Sequence, residues 1–136
     1  MTIENRNELH DLLKRSKVIA VVGHSDKPHR TSYRIGQYLR DAGYKVYPVN
    51  PIVPDIDGEP SYPNLAAVPE PIDIVDVFRR SEYLPEIVDE AIAAGAKVIW
   101  TQLGVVDEGA ALRAEEAGLD VVMDRCIMVD HRQLLG

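Results

Sequence analysis

The chain has 136 residues, of which 46% are hydrophobic and 27% are charged, and its formal net charge is −7. This length suits a single domain, residues 1–136, that buries a core without disulfides or metal ions. The negative charge argues against non-specific binding to nucleic acid or to acidic membranes, because both need a broad positive field.

The beginning of the chain is polar and lacks the basic and apolar regions of a secretion signal. No apolar stretch approaches the roughly 20 residues of a membrane span. The lone Cys126 has no second cysteine with which to form an intrachain disulfide, which suits a reducing compartment. We therefore expect a cytoplasmic protein.

Helical and strand-like segments alternate along the chain. Leu9, Leu12 and Leu13 mark a first amphipathic helix that should pack on a sheet. Five apolar segments predict buried strands, at residues 18–23, 45–50, 73–78, 97–103 and 119–123. Between them, helical spacing at residues 30–42, 84–94 and 107–117 is followed each time by a glycine suited to a helix C-cap, namely Gly43, Gly95 and Gly118. The proline-rich stretch 48–71 predicts a loop with one short helix at 64–67.

This alternation predicts an α/β protein with a doubly wound, Rossmann-like sheet of five parallel strands, preceded by an added N-terminal helix. The expected strand order is 3-2-1-4-5. In that order, ligands bind at the carboxyl ends of the first and fourth strands.

The turn after the first strand is polar and basic. It opens at Gly23 and leads into a helix N-terminus, where free amides bind anions. This segment has one acidic side chain, Asp26, and four basic side chains within eight residues, namely Lys27, His29, Arg30 and Arg34. The turn therefore predicts a phosphate site. The alternatives are a solvated helix start, or simple helix capping by Ser25, Thr31 or Ser32.

The same turn departs from the dinucleotide fingerprint G-x-G-x-x-G. Ser25 and Pro28 stand where the second and third glycines are expected. The second predicted strand ends at Asn50, where an NAD enzyme usually has an acidic residue for the ribose. These differences disfavour NAD and favour phosphates held by hydroxyls, amides and basic side chains.

Five segments in order resemble the Rossmann-type CoA-binding domain family: VVGHSDKP (21–28), GYKVYPVNP (43–51), DIVDVFRR (73–80), GAKVIWTQLG (95–104) and MDRC (123–126). This family includes small stand-alone proteins and the N-terminal domains of succinyl-CoA synthetase α subunits and ADP-forming acyl-CoA synthetases. The resemblance covers roughly residues 10–135.

The resemblance implies a site for coenzyme A or an acyl-CoA. It implies phosphates near residues 25–32, adenine near Asn50, Pro51 and Phe78, and the pantetheine arm near residues 102–104. The candidate cofactor-binding residues are Gly23, His24, Ser25, Lys27, His29, Arg30, Thr31, Ser32, Asn50, Pro51, Val77, Phe78, Arg79, Arg80, Gln102 and Gly104.

One departure from the family concerns the ribose 3′-phosphate. Many relatives carry a basic residue just after the Asn-Pro pair, whereas this chain has Ile52 and Val53. Recognition of that phosphate then depends on another cation, for which Arg30, Arg34 and Arg79 are candidates.

No sequence motif supports catalysis. The chain lacks a G-x-S-x-G elbow and a P-loop, and the related synthetases hold their catalytic parts in other domains. We expect a non-catalytic nucleotide-binding protein without metal, acting as a regulator, a carrier or a subunit that partners an enzyme. So small a sheet exposes its edge strands, which favours a homodimer. The alternative is an NAD(P)- or CoA-dependent enzyme that uses Cys126, or His131 at the start of the final helix. An interaction-only protein is a third possibility.

Overall fold

The computed structural model of the protein describes residues 2–136. Its helices are α1 (Arg6–Arg15), α2 (Thr31–Asp41), α3 (Leu84–Ala93), α4 (Glu108–Glu116) and α5 (Ile127–Leu134). Its strands are β1 (Val18–Val22), β2 (Lys45–Val49), β3 (Asp55–Ile56), β4 (Glu59–Pro60), β5 (Ile74–Val77), β6 (Val98–Thr101) and β7 (Asp120–Val122). Two 3-10 turns span Leu65–Ala67 and Ser81–Tyr83.

Five parallel strands form the main sheet in the order β2-β1-β5-β6-β7, and β3 and β4 form a small antiparallel hairpin. One face of the sheet packs against α3 and α4, and the other packs against α1, α2 and α5. Leu9, Leu12 and Leu13 anchor α1 in the second layer. The doubly wound α/β fold and the added N-terminal helix are confirmed.

The strand order differs from the expected 3-2-1-4-5. Counted over the five predicted strands, it is 2-1-3-4-5, with the third strand beside the first. Pro48 explains why β2 lies at the edge: its carbonyl oxygen faces away from β1 and accepts a hydrogen bond from Tyr62 N (2.9 Å). The same residue has no N–H to offer a full partner strand on that side. The switch point therefore lies between β1 and β5, rather than between the first and fourth predicted strands.

The predicted helix ends are confirmed by backbone geometry. Gly43, Gly95 and Gly118 each follow a helix with φ of 102°, 72° and 94°, in the region that favours glycine. The short helix expected at 64–67 is a 3-10 turn. The last helix begins earlier than expected, at Ile127, so His131 lies within it rather than at its start.

Both outer edges of the sheet carry hydrogen bonds from other segments. Tyr62 exchanges backbone hydrogen bonds with Pro48 and Asn50 along β2, and Ile3 N donates to Val121 O of β7 (2.7 Å). The exposed edges that suggested a homodimer are thus partly occupied, and the homodimer stays a prediction. Across residues 2–136, none of the helices combines the length and apolar character needed to cross a membrane.

Candidate functional site

A cleft of about 530 Å³ lies at the carboxyl edge of the sheet, over the switch point. The turn after β1, the start of α2, the segment after β2 and the end of β5 surround it. The lining includes Asp26, Ile52 and Val53 and eight of the sixteen predicted residues. The eight are Gly23, Ser25, Lys27, Arg30, Thr31, Ser32, Asn50 and Phe78.

Gly23 connects β1 to the cleft in a conformation that requires glycine. Its φ is +88°, and an added Cβ would lie 2.6 Å from Phe78 O. Its amide donates to Val49 O (2.8 Å), which holds the turn against β2. The backbone can therefore pass between the ends of β2 and β5 only when this position has no side chain.

The hydroxyl groups of the turn stabilise the turn itself. Ser25 N donates to Ser32 Oγ (2.9 Å), and Lys27 N donates to Ser25 Oγ (3.0 Å). Arg30 N donates to Lys27 O (3.0 Å). These bonds fold the turn over the first residues of α2, so Ser25 and Ser32 shape the cleft without capping the helix.

The N-terminus of α2 has no side-chain cap. Arg30 occupies the N-cap position, no side chain bonds the first amides, and the first turn contains no acidic residue. Lys27 and Arg30 line the cleft beside these amides, with Asp26 as the opposing charge. An open helix N-terminus with two cations nearby has the chemistry of a phosphate site.

The His24 imidazole lies behind the turn and is fully buried. Its Nδ1 donates to Ser25 O (2.8 Å), and its Nε2 accepts from Arg40 Nη1 (3.1 Å). Burial lowers the pKa of His24 to about 4, so the ring is neutral and can act as donor and acceptor at once. It packs so closely on α2 that a Cβ on Gly36 would lie 2.3 Å from Nε2. His24 therefore braces the turn instead of facing the cleft.

The Asn50 side chain links β2 to the turn. Its Nδ2 donates to His24 O (3.0 Å), and its Oδ1 accepts from Ile52 N (3.0 Å). Pro51 follows and lines an adjoining cleft of about 290 Å³ with Phe78 and Arg79.

Apolar side chains follow Asn50 on the rim of the main cleft. Ile52 is 87% exposed, and no basic side chain stands beside it in sequence. Of the three candidate replacements, Arg30 lines the main cleft and Arg79 lines the adjoining one, whereas Arg34 is in the lining of neither.

Four further predicted residues, Val77, His29, Arg80 and Gly104, lie outside the lining of the clefts at this edge of the sheet. Val77 is fully buried in the core, and His29 is exposed outside the lining. Arg80 is also largely exposed, 3.7 Å from Glu82. Gly104 N donates to Asp124 Oδ1 (2.7 Å), which ties two loops together.

A second cleft of about 320 Å³ continues from the first, because both are lined by Thr31 and Phe78. Gln102 and Cys126 line its far side. Gln102 is 5% exposed, and its Nε2 donates to Asp76 Oδ1. The predicted residues at the ends of β1, β5 and β6 thus border two neighbouring clefts that share Thr31 and Phe78.

Cys126 and His131 do not form a common site. Cys126 borders the second cleft, whereas His131 lines a separate cleft with Tyr44 and bonds Tyr38 Oη through Nδ1 (2.8 Å). Within the described residues, no three histidine, cysteine, aspartate or glutamate side chains come close enough to hold a metal ion.

The fold and the cleft define a Rossmann-like protein with a basic, open helix N-terminus at its switch point. Residues 17–132 match the CoA binding domain family, and the chain belongs to that family. The resemblance drawn from the five sequence segments is confirmed.

Relatives of two sizes share this domain. Protein YneT of Bacillus subtilis, described as uncharacterized, is 45% identical over 127 residues, which cover 93% of this chain and 94% of YneT. A solved structure of a hypothetical protein from Pyrococcus horikoshii has a TM-score of 0.95 at 40% identity, covering 98% of this chain and 94% of that one. The ADP-forming acetate–CoA ligase I of Archaeoglobus fulgidus is 32% identical over 123 residues, covering 82% of this chain but 18% of the ligase.

Proposed function

We propose that this protein binds coenzyme A or an acyl-CoA and has no catalytic activity of its own. The observation that carries the proposal is the open N-terminus of α2, with Lys27 and Arg30 beside it, in a chain of the CoA binding domain family. The diphosphate of the ligand would accept hydrogen bonds from these amides and cations.

The positions of the main cleft and the second cleft support the same ligand. A nucleotide half on the main cleft would leave the pantetheine arm to pass Phe78 and enter the cleft bordered by Gln102. The ADP-forming ligases carry a similar domain inside longer chains, which makes a partner enzyme that receives CoA from this protein a reasonable extension.

Calorimetric titration with CoA, acetyl-CoA, dephospho-CoA and NAD tests the proposal. We expect CoA and acetyl-CoA to bind at sub-millimolar concentration and NAD to bind more weakly. Failure of every CoA species to bind would overturn the proposal. Equal affinities for CoA and dephospho-CoA would show that the 3′-phosphate is not recognised beside Ile52.

Two arginines of the same segment provide a matched pair of variants. Arg30→Ala removes a cation from the cleft and should weaken CoA binding about tenfold or more, the value of one charge-assisted hydrogen bond. Arg34→Ala removes the same charge from a position outside the cleft lining and should change the affinity little. Equal losses in both variants would assign the effect to net charge.

A further inference from the structure

The buried carboxyl group of Asp76 is linked to the second cleft by Gln102, which lines that cleft. Asp76, in β5, is fully buried, and it pairs in register with Val21 and Trp100. Its Oδ1 accepts a hydrogen bond from Gln102 Nε2, and its Oδ2 has no partner among the described residues. Burying a carboxyl group with one hydrogen-bond partner among apolar residues lowers the stability of the fold. Its presence there indicates that Asp76 has a function that offsets this cost.

The carboxyl group can serve as an acceptor in either protonation state. Burial raises the pKa of Asp76 to about 8, so the group is mostly neutral at neutral pH. The proton belongs on Oδ2, because Oδ1 accepts the bond from Gln102. With or without that proton, Oδ1 holds the NH2 group of Gln102 toward the sheet.

Holding one end of the Gln102 amide fixes the other end. The donor nitrogen and acceptor oxygen of a side-chain amide share one planar group, so Oε1 is turned away from Asp76. Gln102 lines the second cleft with Thr31 and Phe78, and no described residue donates a hydrogen bond to its Oε1. The cleft therefore offers a fixed acceptor to whatever enters it.

We propose that Asp76 is a positioning residue that presents the Gln102 carbonyl to the second cleft, so that this cleft selects ligand arms with an N–H donor. The inference rests on the proposed function, because the amide-bearing arm of CoA is the ligand portion that would reach this cleft. Apolar arms, or arms with acceptors only, would cover the Gln102 carbonyl without giving it a hydrogen-bond donor and would bind less well.

Titrations with CoA and ADP separate the arm from the nucleotide. Asp76→Leu replaces the acid with an apolar side chain of similar size, which suits the buried position, and it frees Gln102 to rotate. We expect CoA affinity to fall roughly five- to tenfold, the effect of one hydrogen bond, with ADP affinity unchanged. Asp76→Asn keeps an acceptor oxygen for Gln102 and should retain wild-type CoA affinity.

A second variant tests the route through Gln102. Gln102→Leu should lower CoA affinity by the same factor as Asp76→Leu, and the double variant should lose no more, because both changes remove one interaction. If Asp76→Leu does not fold, the single variants Gln102→Leu and Asp76→Asn are compared instead. A loss of CoA affinity in Gln102→Leu, with wild-type affinity in Asp76→Asn, supports the proposal.

Equal weakening of CoA and ADP in these variants would mean that Asp76 has only a structural role, and the proposal would fail. Unchanged CoA affinity in Gln102→Leu would also overturn it. If the wild-type protein bound ADP but not CoA, or bound neither, the proposed function itself would be refuted.

Discussion

Helices α2 and α4 both begin at the carboxyl edge of the same sheet, but their N-termini are built differently. In α4, Asp107 Oδ1 accepts from Ala110 N (2.9 Å), and Glu108 adds a negative charge in the first turn. In α2, Arg30 occupies the cap position, and neither a side-chain cap nor an acidic residue is present. The first amides of α4 have a side-chain acceptor, and the first amides of α2 have none.

The other helices of the described chain support this contrast. Asn5 caps α1, whereas α3 and α5 lack a side-chain cap but have Glu86 and Asp130 in their first turns. Only α2 lacks both devices, and it is the helix whose first residues line the largest cleft described at the switch point. On the proposed function, the phosphates of the ligand would supply to α2 what aspartate supplies to α4.

Converting the start of α2 into that of α4 should give the largest effect. Arg30→Asp removes a cation and places a carboxylate against the helix amides. We expect CoA affinity to fall roughly a hundred- to a thousandfold, because a charge-assisted bond of about 1.5–3 kcal/mol is lost and repulsion is added. The unliganded variant should gain about 1 kcal/mol of stability from its new cap.

Arg34→Asp is the control for that variant, since it makes the same charge change on α2 outside the cleft lining. Its CoA affinity should change only a few-fold. Retained CoA binding by Arg30→Asp would show that the open end of α2 is not the phosphate site.

Acid should weaken the turn before α2 through His24. The folded protein holds the pKa of His24 at about 4, below its ordinary 6.5, so the unfolded chain binds more protons between these values. The stability contributed by the neutral ring is complete above pH 6.5 and is lost as the pH falls toward 4, by about 3 kcal/mol. Urea denaturation at several pH values should show this loss of unfolding free energy. His24→Gln keeps an acceptor for Arg40 but does not titrate, so the loss between pH 6.5 and pH 4 should be smaller by about 3 kcal/mol in this variant.

The fold was predictable because its signals are local. Helices α2, α3 and α4 are each followed by a glycine, and the apolar segments match buried strands. The strand order was not predictable in the same way, because it depends on the direction in which the Pro48 carbonyl points and on the segment that Tyr62 brings alongside. That information lies in a contact between distant residues.

The site was predicted in part for a similar reason. Gly23, Lys27 and Arg30 follow a strand directly, so the connection places them at the cleft. Gly36 and Asp76 were missed, because each acts through a partner far along the chain. Their signals were present as a glycine inside a helical pattern and a carboxylate inside an apolar strand.

Two glycine substitutions should change stability in opposite directions. In Gly36→Ala, the new Cβ would lie 2.3 Å from His24 Nε2, so the buried ring or the helix must move. We expect a loss of about 1–3 kcal/mol in unfolding free energy, with weaker CoA binding because the turn shifts. Gly109→Ala in α4 meets only Asp107 Oδ1 at 3.4 Å and should gain up to about 1 kcal/mol. Stabilisation by Gly36→Ala would contradict the bracing role of His24.

Removing the cap of α4 should give the smallest effect and completes the comparison. Asp107→Ala leaves Ala110 N without its acceptor and should cost about 1 kcal/mol of stability by urea denaturation. Because α2 is intact in this variant, CoA affinity should stay at the wild-type value. Phosphate should raise the melting temperatures of the variant and of the wild type equally, through α2, and Arg30→Asp should abolish that increase. If phosphate stabilised Asp107→Ala more than the wild type, the two helix ends would be equivalent anion sites and the distinction between them would fail.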